Sequence, residues 1–127
     1  MAAASRLILL TGAAGFVGRQ VLRALGERGC RVRSVVREGK QERFAHDDAI
    51  ETIVASRDIF AESAAWWARA CGGADTVIHA AWYAESGQYP QSPKNQECLS
   101  GTLRLAEGAV QAKVRRFVGI GTCFEYD

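Results

Sequence analysis

The sequence predicts an α/β domain, a doubly wound parallel sheet with strand order 3-2-1-4-5, and three observations carry that prediction. Short apolar runs of strand length alternate with stretches of helical periodicity along the whole chain. The first run, Leu7 to Thr11, passes through Gly12, Gly15 and Gly18 directly into a helical pattern. A second apolar run, Arg31 to Val36, then closes a strand-helix-strand unit of about thirty residues. Strands joined by helices run parallel with right-handed crossovers, and this order puts a switch point between the first and fourth strands.

The glycine turn is the first element and the one with chemistry in it. A helix N-terminus offers backbone N–H groups without helical partners and the positive end of the helix dipole, which together suit a phosphate. At this spacing Gly12 makes the turn, Gly15 lies under the phosphates, and Gly18 lets the helix pack tightly on the strand. In the helix, Val17, Val21, Leu22 and Leu25 recur at three- and four-residue spacing, with Arg19, Gln20, Arg23, Glu27 and Arg28 on the other face. Gly29 is the stop signal.

Arg31 to Val36 forms the second strand, with Val32, Ser34 and Val36 alternating, and Arg37-Glu38-Gly39-Lys40 turns the chain. Gln41 to Ile50 is polar apart from Phe44 and holds one short helix. Glu51 to Ala55 is the third strand. Asp58 is placed to cap the next helix, whose apolar stripe is Phe60, Ala64, Trp67, Ala68 and Cys71, and Gly72-Gly73 ends it. Trp66 and Trp67 point about 100° apart, so that one packs on the sheet and the other is exposed or covered by a partner.

Asp75 to Ala81 is the fourth strand, ending in small residues, and Trp82 to Pro93 is a loop. A long helix runs from Lys94 to Ala112 with Leu99, Leu103, Ala106 and Val110 on one face. Gly101 and Gly108 inside it each cost roughly 1 kcal/mol relative to alanine, which close packing on the sheet would offset. Phe117 to Thr122 is the fifth strand. Gly12 to Gly18 and His79 to Trp82 then face one crevice; His79 itself, inside an apolar strand, reads as a satisfied core residue.

Composition narrows the function. The 127 residues suffice for one domain, 1–127, with a real core; 48% are hydrophobic and 24% charged, as in ordinary globular proteins. A net charge of +2 with interspersed signs gives no electrostatic case for nucleic acid or membrane binding. Cys30, Cys71, Cys98 and Cys123 show no metal-ligand spacing, so no metal site is expected, and a reduced, cytoplasmic setting fits. No apolar run approaches the roughly 18 residues of a membrane helix.

Five motifs occur in order: the glycine turn, Asp58-Ile59, Val77-Ile78-His79-Ala80-Ala81, Gly101-Thr102-Leu103 and Gly119-Ile120-Gly121-Thr122. By them the chain resembles, over essentially its whole length, the NAD(P)-dependent epimerase/dehydratase family, the extended short-chain dehydrogenases/reductases. The resemblance implies a Rossmann-type dinucleotide-binding domain. In it Gly12, Gly15, Phe16 and Val17 hold the pyrophosphate, Gly18 packs the helix, Asp58 and Ile59 lie beside the adenine, and Ala80, Ala81 and Trp82 line the nicotinamide-side ribose. Asp58 serves equally well as a helix cap, and one carboxylate can do both.

Cofactor choice turns on the end of the second strand, where an acidic residue favours NAD. Arg37 stands there instead, a bidentate partner for a 2′-phosphate, so NADP is expected, helped by Arg19; Glu38 beside it keeps NAD open. Chemistry in such enzymes looks like hydride transfer assisted by a Tyr-x-x-x-Lys pair and a strand hydroxyl, the last matched by Thr122. Two departures stand out. Cys98 occupies the place of a usual asparagine, with Asn95 one turn earlier, and the chain contains no Tyr-x-x-x-Lys.

The expectation is therefore the N-terminal portion of a longer oxidoreductase, truncated before the catalytic helix and the substrate domain and inactive alone. By family analogy the substrate is a small molecule, a nucleotide-linked sugar, and the full-length parent a homodimer. The fifth strand would be left as an apolar edge, with marginal stability or association as the consequence. The alternative is a non-catalytic NAD(P)-binding sensor or regulatory module.

Overall fold

A computed structural model describes residues 5–83 and 91–121. The elements are β1 (Leu7–Thr11), α1 (Phe16–Glu27), β2 (Arg31–Arg37), a 3-10 turn (Gln41–Phe44), β3 (Ile50–Ser56), α2 (Ala64–Ala70), β4 (Thr76–His79), α3 (Lys94–Gln111) and β5 (Arg116–Gly119). All strand pairs are parallel and the order is β3-β2-β1-β4-β5, as the alternating pattern predicts. No helix among the described residues is long and apolar enough to cross a membrane.

Strand alternation divides the core into two layers. Leu7, Leu9, Val35 and Val77 face α2 and α3, where they meet Trp67, Ala70, Cys71, Leu105 and Ala109. Leu10, Val32 and Val36 point the other way, to Leu22 of α1 and Phe44 of the 3-10 turn. β1 is buried at all five positions because it lies at the sheet's centre and is covered on both faces. Both neighbouring indoles belong to the α2 layer: Trp67 is fully buried, and Trp66 is half-buried against it, edge to face at 4.9 Å. Arg33 reaches from β2 to the carbonyls of Ala70 (2.6 Å) and Gly72 (2.8 Å), closing the C-terminal end of α2.

Three sequence expectations change. The fourth strand ends at His79, so Ala80 and Ala81 lie just beyond it, and the fifth begins at Arg116 and runs to Gly119, with the Ile120 N–H still donating to the His79 carbonyl at 3.0 Å. Asp58 does not cap α2; Ser63 does, its hydroxyl accepting from the Trp66 N–H at 3.0 Å, and Phe60 precedes the helix. Most consequentially, α3 turns its larger apolar residues outward: Leu99, Leu103 and Val110 are 53%, 62% and 77% exposed. Its inner face is Cys98, Gly101, Leu105, Gly108 and Ala109. A methyl group at Gly101 would lie 2.5 Å from the Phe60 Cα, and one at Gly108 2.5 Å from the Trp67 Cβ. The two glycines thus seat α3 on α2 and the turn before it rather than on the sheet.

Candidate functional site

The C-terminal ends of β1, β2, β3 and β4 form one edge of the sheet, and Gly12, Arg37, Asp58 and Ala80 follow those ends in the chain. β1 leaves the sheet at Thr11, and the turn closes with the Gly15 N–H donating to the Gly12 carbonyl at 3.0 Å. Gly12 has φ +78, and a Cβ there would lie 2.7 Å from the Ala81 nitrogen, so turn and β4 end are in direct contact. A Cβ on Gly18 would overlap the Gly12 carbonyl; α1 therefore packs on the turn itself.

Gly15 differs from both. It is exposed, its backbone is extended (φ −78), and an added Cβ would meet nothing nearer than the Gly12 oxygen at 3.4 Å. The fold does not require a glycine there. The first bond of α1 is Arg19 N–H to the Gly15 carbonyl, so the amides of Phe16, Val17 and Gly18 have no partner within the helix. No side chain caps this terminus and no acidic residue stands in its first turn. The positive end of α1 is left unneutralised, with Phe16 and Val17 exposed beside it.

Arg37 ends β2 opposite Ser56 of β3, exposed, and its guanidinium makes no ion pair among the described residues. Glu38 is engaged differently: its carboxylate accepts from Arg57 Nε at 3.1 Å. Arg19 stands on the wall of a groove between α1 and the 3-10 turn, beside Leu22 and Phe44. Beyond β3, Asp58 Oδ1 accepts from the Phe60 N–H (2.9 Å) and its carbonyl from the Ala61 N–H (3.0 Å), so its carboxylate shapes a turn at the crevice. Ile59 is half-buried against the α2/α3 layer. Arg104 of α3 holds this turn from behind, donating to the carbonyls of Glu62 (3.0 Å) and Phe60.

On the β4 side, Ala80 and Ala81 are half-buried and both direct their N–H groups at Thr11 Oγ1, 3.2 Å away. Trp82 is exposed, its indole N–H donating to Asn95 Oδ1 at 2.7 Å and its ring edge-on to Phe60. His79 is buried and satisfied at both nitrogens, by Thr11 Oγ1 (2.7 Å) and Thr102 Oγ1 (2.9 Å). Burial lowers its pKa to about 4. Cys98 faces inward, and burial pushes its thiol pKa up, which makes it an inert packing group. Thr122 lies outside the described residues.

Thr11, Phe60, Asn95 and Thr102 are the residues that sequence reasoning missed as parts of this edge. Phe60 was hidden by its fit to a helical stripe. Thr11 and Thr102 offered one signal each, a polar side chain in an apolar strand and another beside the packing face of a helix.

The model of the NAD dependent epimerase/dehydratase family matches residues 8–127. Among solved structures, a candidate epimerase from Bacteroides thetaiotaomicron is 28% identical, with a TM-score of 0.69 over 93% of this chain and 48% of that one. MoeE5, solved with UDP-glucose and NAD, is 26% identical, with a TM-score of 0.67 over 91% of this chain and 36% of that one. The UDP-N-acetylglucosamine 4-epimerase of Bacillus cereus shares the fold at 18% identity, with a TM-score of 0.72 over 97% of this chain and 42% of that one. The chain thus spans less than half the length of each. No curated protein matches it.

Proposed function

The chain belongs to the NAD-dependent epimerase/dehydratase family, and from that premise we propose that it is the dinucleotide-binding part of a longer epimerase, dehydratase or reductase. The observation that carries this reading is Gly15. Gly12 and Gly18 are accounted for by packing, whereas the bare surface at Gly15 has no purpose in the fold and lies at the unneutralised end of α1. A pyrophosphate there would accept from the amides of Phe16 and Val17 and approach Gly15 without meeting a side chain.

The remaining contacts follow from this placement. Adenine would lie against Asp58, whose Oδ2 carries no hydrogen bond among the described residues, and against the exposed edge of Ile59. Arg37, without an ion pair among the described residues, would take a 2′-phosphate, while Arg57 draws Glu38 aside, which supports NADP over NAD. Ala80, Ala81 and Trp82 would line the nicotinamide-side ribose. A nicotinamide held there would supply hydride-transfer chemistry. In the parent enzyme Thr122 would hydrogen-bond the reacting oxygen.

A nucleotide-linked sugar is the proposed substrate class, supported by the UDP-glucose in the MoeE5 complex. A cytoplasmic setting fits the free thiols of Cys30, Cys71 and Cys98. The outward face of α3 supports a homodimer of the parent, in which it would be covered. The second reading is a non-catalytic NAD(P)-binding sensor or regulatory module. It would bind the same nucleotide without turnover.

Calorimetric titration with NADP⁺ and NAD⁺ tests the cofactor assignment. The expected result is tighter binding of NADP⁺, with Arg37→Ala weakening it about tenfold and leaving NAD⁺ unchanged. NAD⁺ binding at least as tightly as NADP⁺ in the wild-type chain would overturn the role of Arg37.

A further inference from the structure

His79 does more than fill the core. A threonine hydroxyl has one proton to give and two lone pairs to offer. The N–H of Ala80, shared with the Thr11 carbonyl at 3.3 Å, and that of Ala81 both approach Thr11 Oγ1 at 3.2 Å, and a backbone N–H can only donate. The lone pairs are thereby used, so the Thr11 proton spans the 2.7 Å to His79 Nδ1. Nδ1 accepts, the neutral ring carries its proton on Nε2, and that proton is donated across 2.9 Å to Thr102 Oγ1 of α3. Phe60 stands edge-on to the ring at 6.1 Å and shields it. Burial, which holds the imidazole neutral to about pH 4, keeps this arrangement of protons in place.

From this geometry we infer that Thr11, His79 and Thr102 form a hydrogen-bonded strut that sets the Ala80–Ala81 wall of the crevice against α3, with His79 and Thr102 as positioning residues for the dinucleotide. The inference rests on the nucleotide-binding reading above. Its leverage comes from the close approach already described: a Cβ on Gly12 would lie 2.7 Å from the Ala81 nitrogen, so the strut that fixes Ala80–Ala81 also fixes the surface against which the glycine turn rests. Without the acceptor at Thr102 the His79 Nε2–H would be buried and unpaired. The ring would then turn or recruit water, and the wall would shift with it.

The test has two arms on the full chain. Long-range ¹H–¹⁵N correlation spectra of His79 should show the Nε2–H tautomer; an Nδ1–H tautomer overturns the strut. In NADP⁺ titrations Thr102→Val, which keeps the branched shape and removes the hydroxyl, should bind about tenfold more weakly, while Thr102→Ser stays within about twofold of wild type. Equal binding by wild type and Thr102→Val overturns the positioning role alone. A wild-type chain that binds neither NADP⁺ nor NAD⁺ overturns the reading of the site and the positioning role together.

Discussion

His79 makes the stability of the fold depend on pH in one direction. Its pKa is lowered by burial from 6.5 to about 4, so above pH 6.5 the ring is neutral folded or unfolded and its contribution is complete. Between 6.5 and about 4 the unfolded chain binds a proton that the folded chain refuses, and stability falls as pH falls. The loss attributable to this residue reaches on the order of 3 kcal/mol by pH 4. Urea unfolding at pH 7 and pH 4.5 should show it, and a His79→Gln variant should lose less over the same interval; identical losses would show that His79 titrates normally. The glycines separate just as sharply. Gly18→Ala should abolish or severely destabilise the fold, because its methyl overlaps the Gly12 carbonyl, whereas a methyl at Gly15 makes only a contact of 3.4 Å with the Gly12 oxygen. Circular dichroism on the two variants distinguishes them.

At the scale of elements, α3 shows where sequence reasoning succeeds and where it fails. Its extent is legible to within a residue, Lys94 to Ala112 in the sequence against Lys94 to Gln111 in the structure, and so is the need for close packing at Gly101 and Gly108. Its orientation is not, because hydrophobic periodicity favours Leu99, Leu103, Ala106 and Val110 while the surface that can approach α2 is the one made of small residues. Close approach decides: a leucine at position 101 or 108 would hold the helices apart, and the glycines cannot serve anywhere but inside. Leu105→Ala should cost about 2–5 kcal/mol as a fully buried truncation, whereas Leu103→Lys should change the monomer's stability by less than about 0.5 kcal/mol. Gly108→Ala gains roughly 1 kcal/mol of helix propensity and loses more to its clash with Trp67, for a net loss of about 1–3 kcal/mol. Chemical denaturation of the three variants checks the assignment, and a destabilising Leu103→Lys would reverse it.

For the whole molecule, the strand order and the gathering of the glycine turn, Arg37, Asp58 and Ala80–Trp82 at one edge are legible because parallel crossovers leave few topologies open. What the sequence conceals is the backing of that edge: hydrogen bonds from Thr11 to His79 to Thr102, and from Arg104 to the Phe60 turn, join residues far apart in the chain. Among the described residues, two of the exposed apolar surfaces lie away from the crevice. β5 is an edge strand with Phe117 and Val118 exposed, and Leu99, Leu103 and Val110 form a stripe on α3. Together they predict self-association of this chain with rising concentration, readable by sedimentation velocity, and suppressed when Leu103→Lys is combined with Val110→Lys. A wild-type chain that stays monomeric at every concentration would contradict this.

The central claim is that the surface at Gly15 exists for a dinucleotide phosphate, and titration of NADP⁺ into the wild-type chain and into Gly15→Val tests it most directly. The account predicts saturable binding to the wild type and none to the variant, with circular dichroism showing that the variant keeps its fold, since a Cβ at that position meets only the Gly12 oxygen, at 3.4 Å. Wild-type affinity in a folded Gly15→Val chain would contradict it.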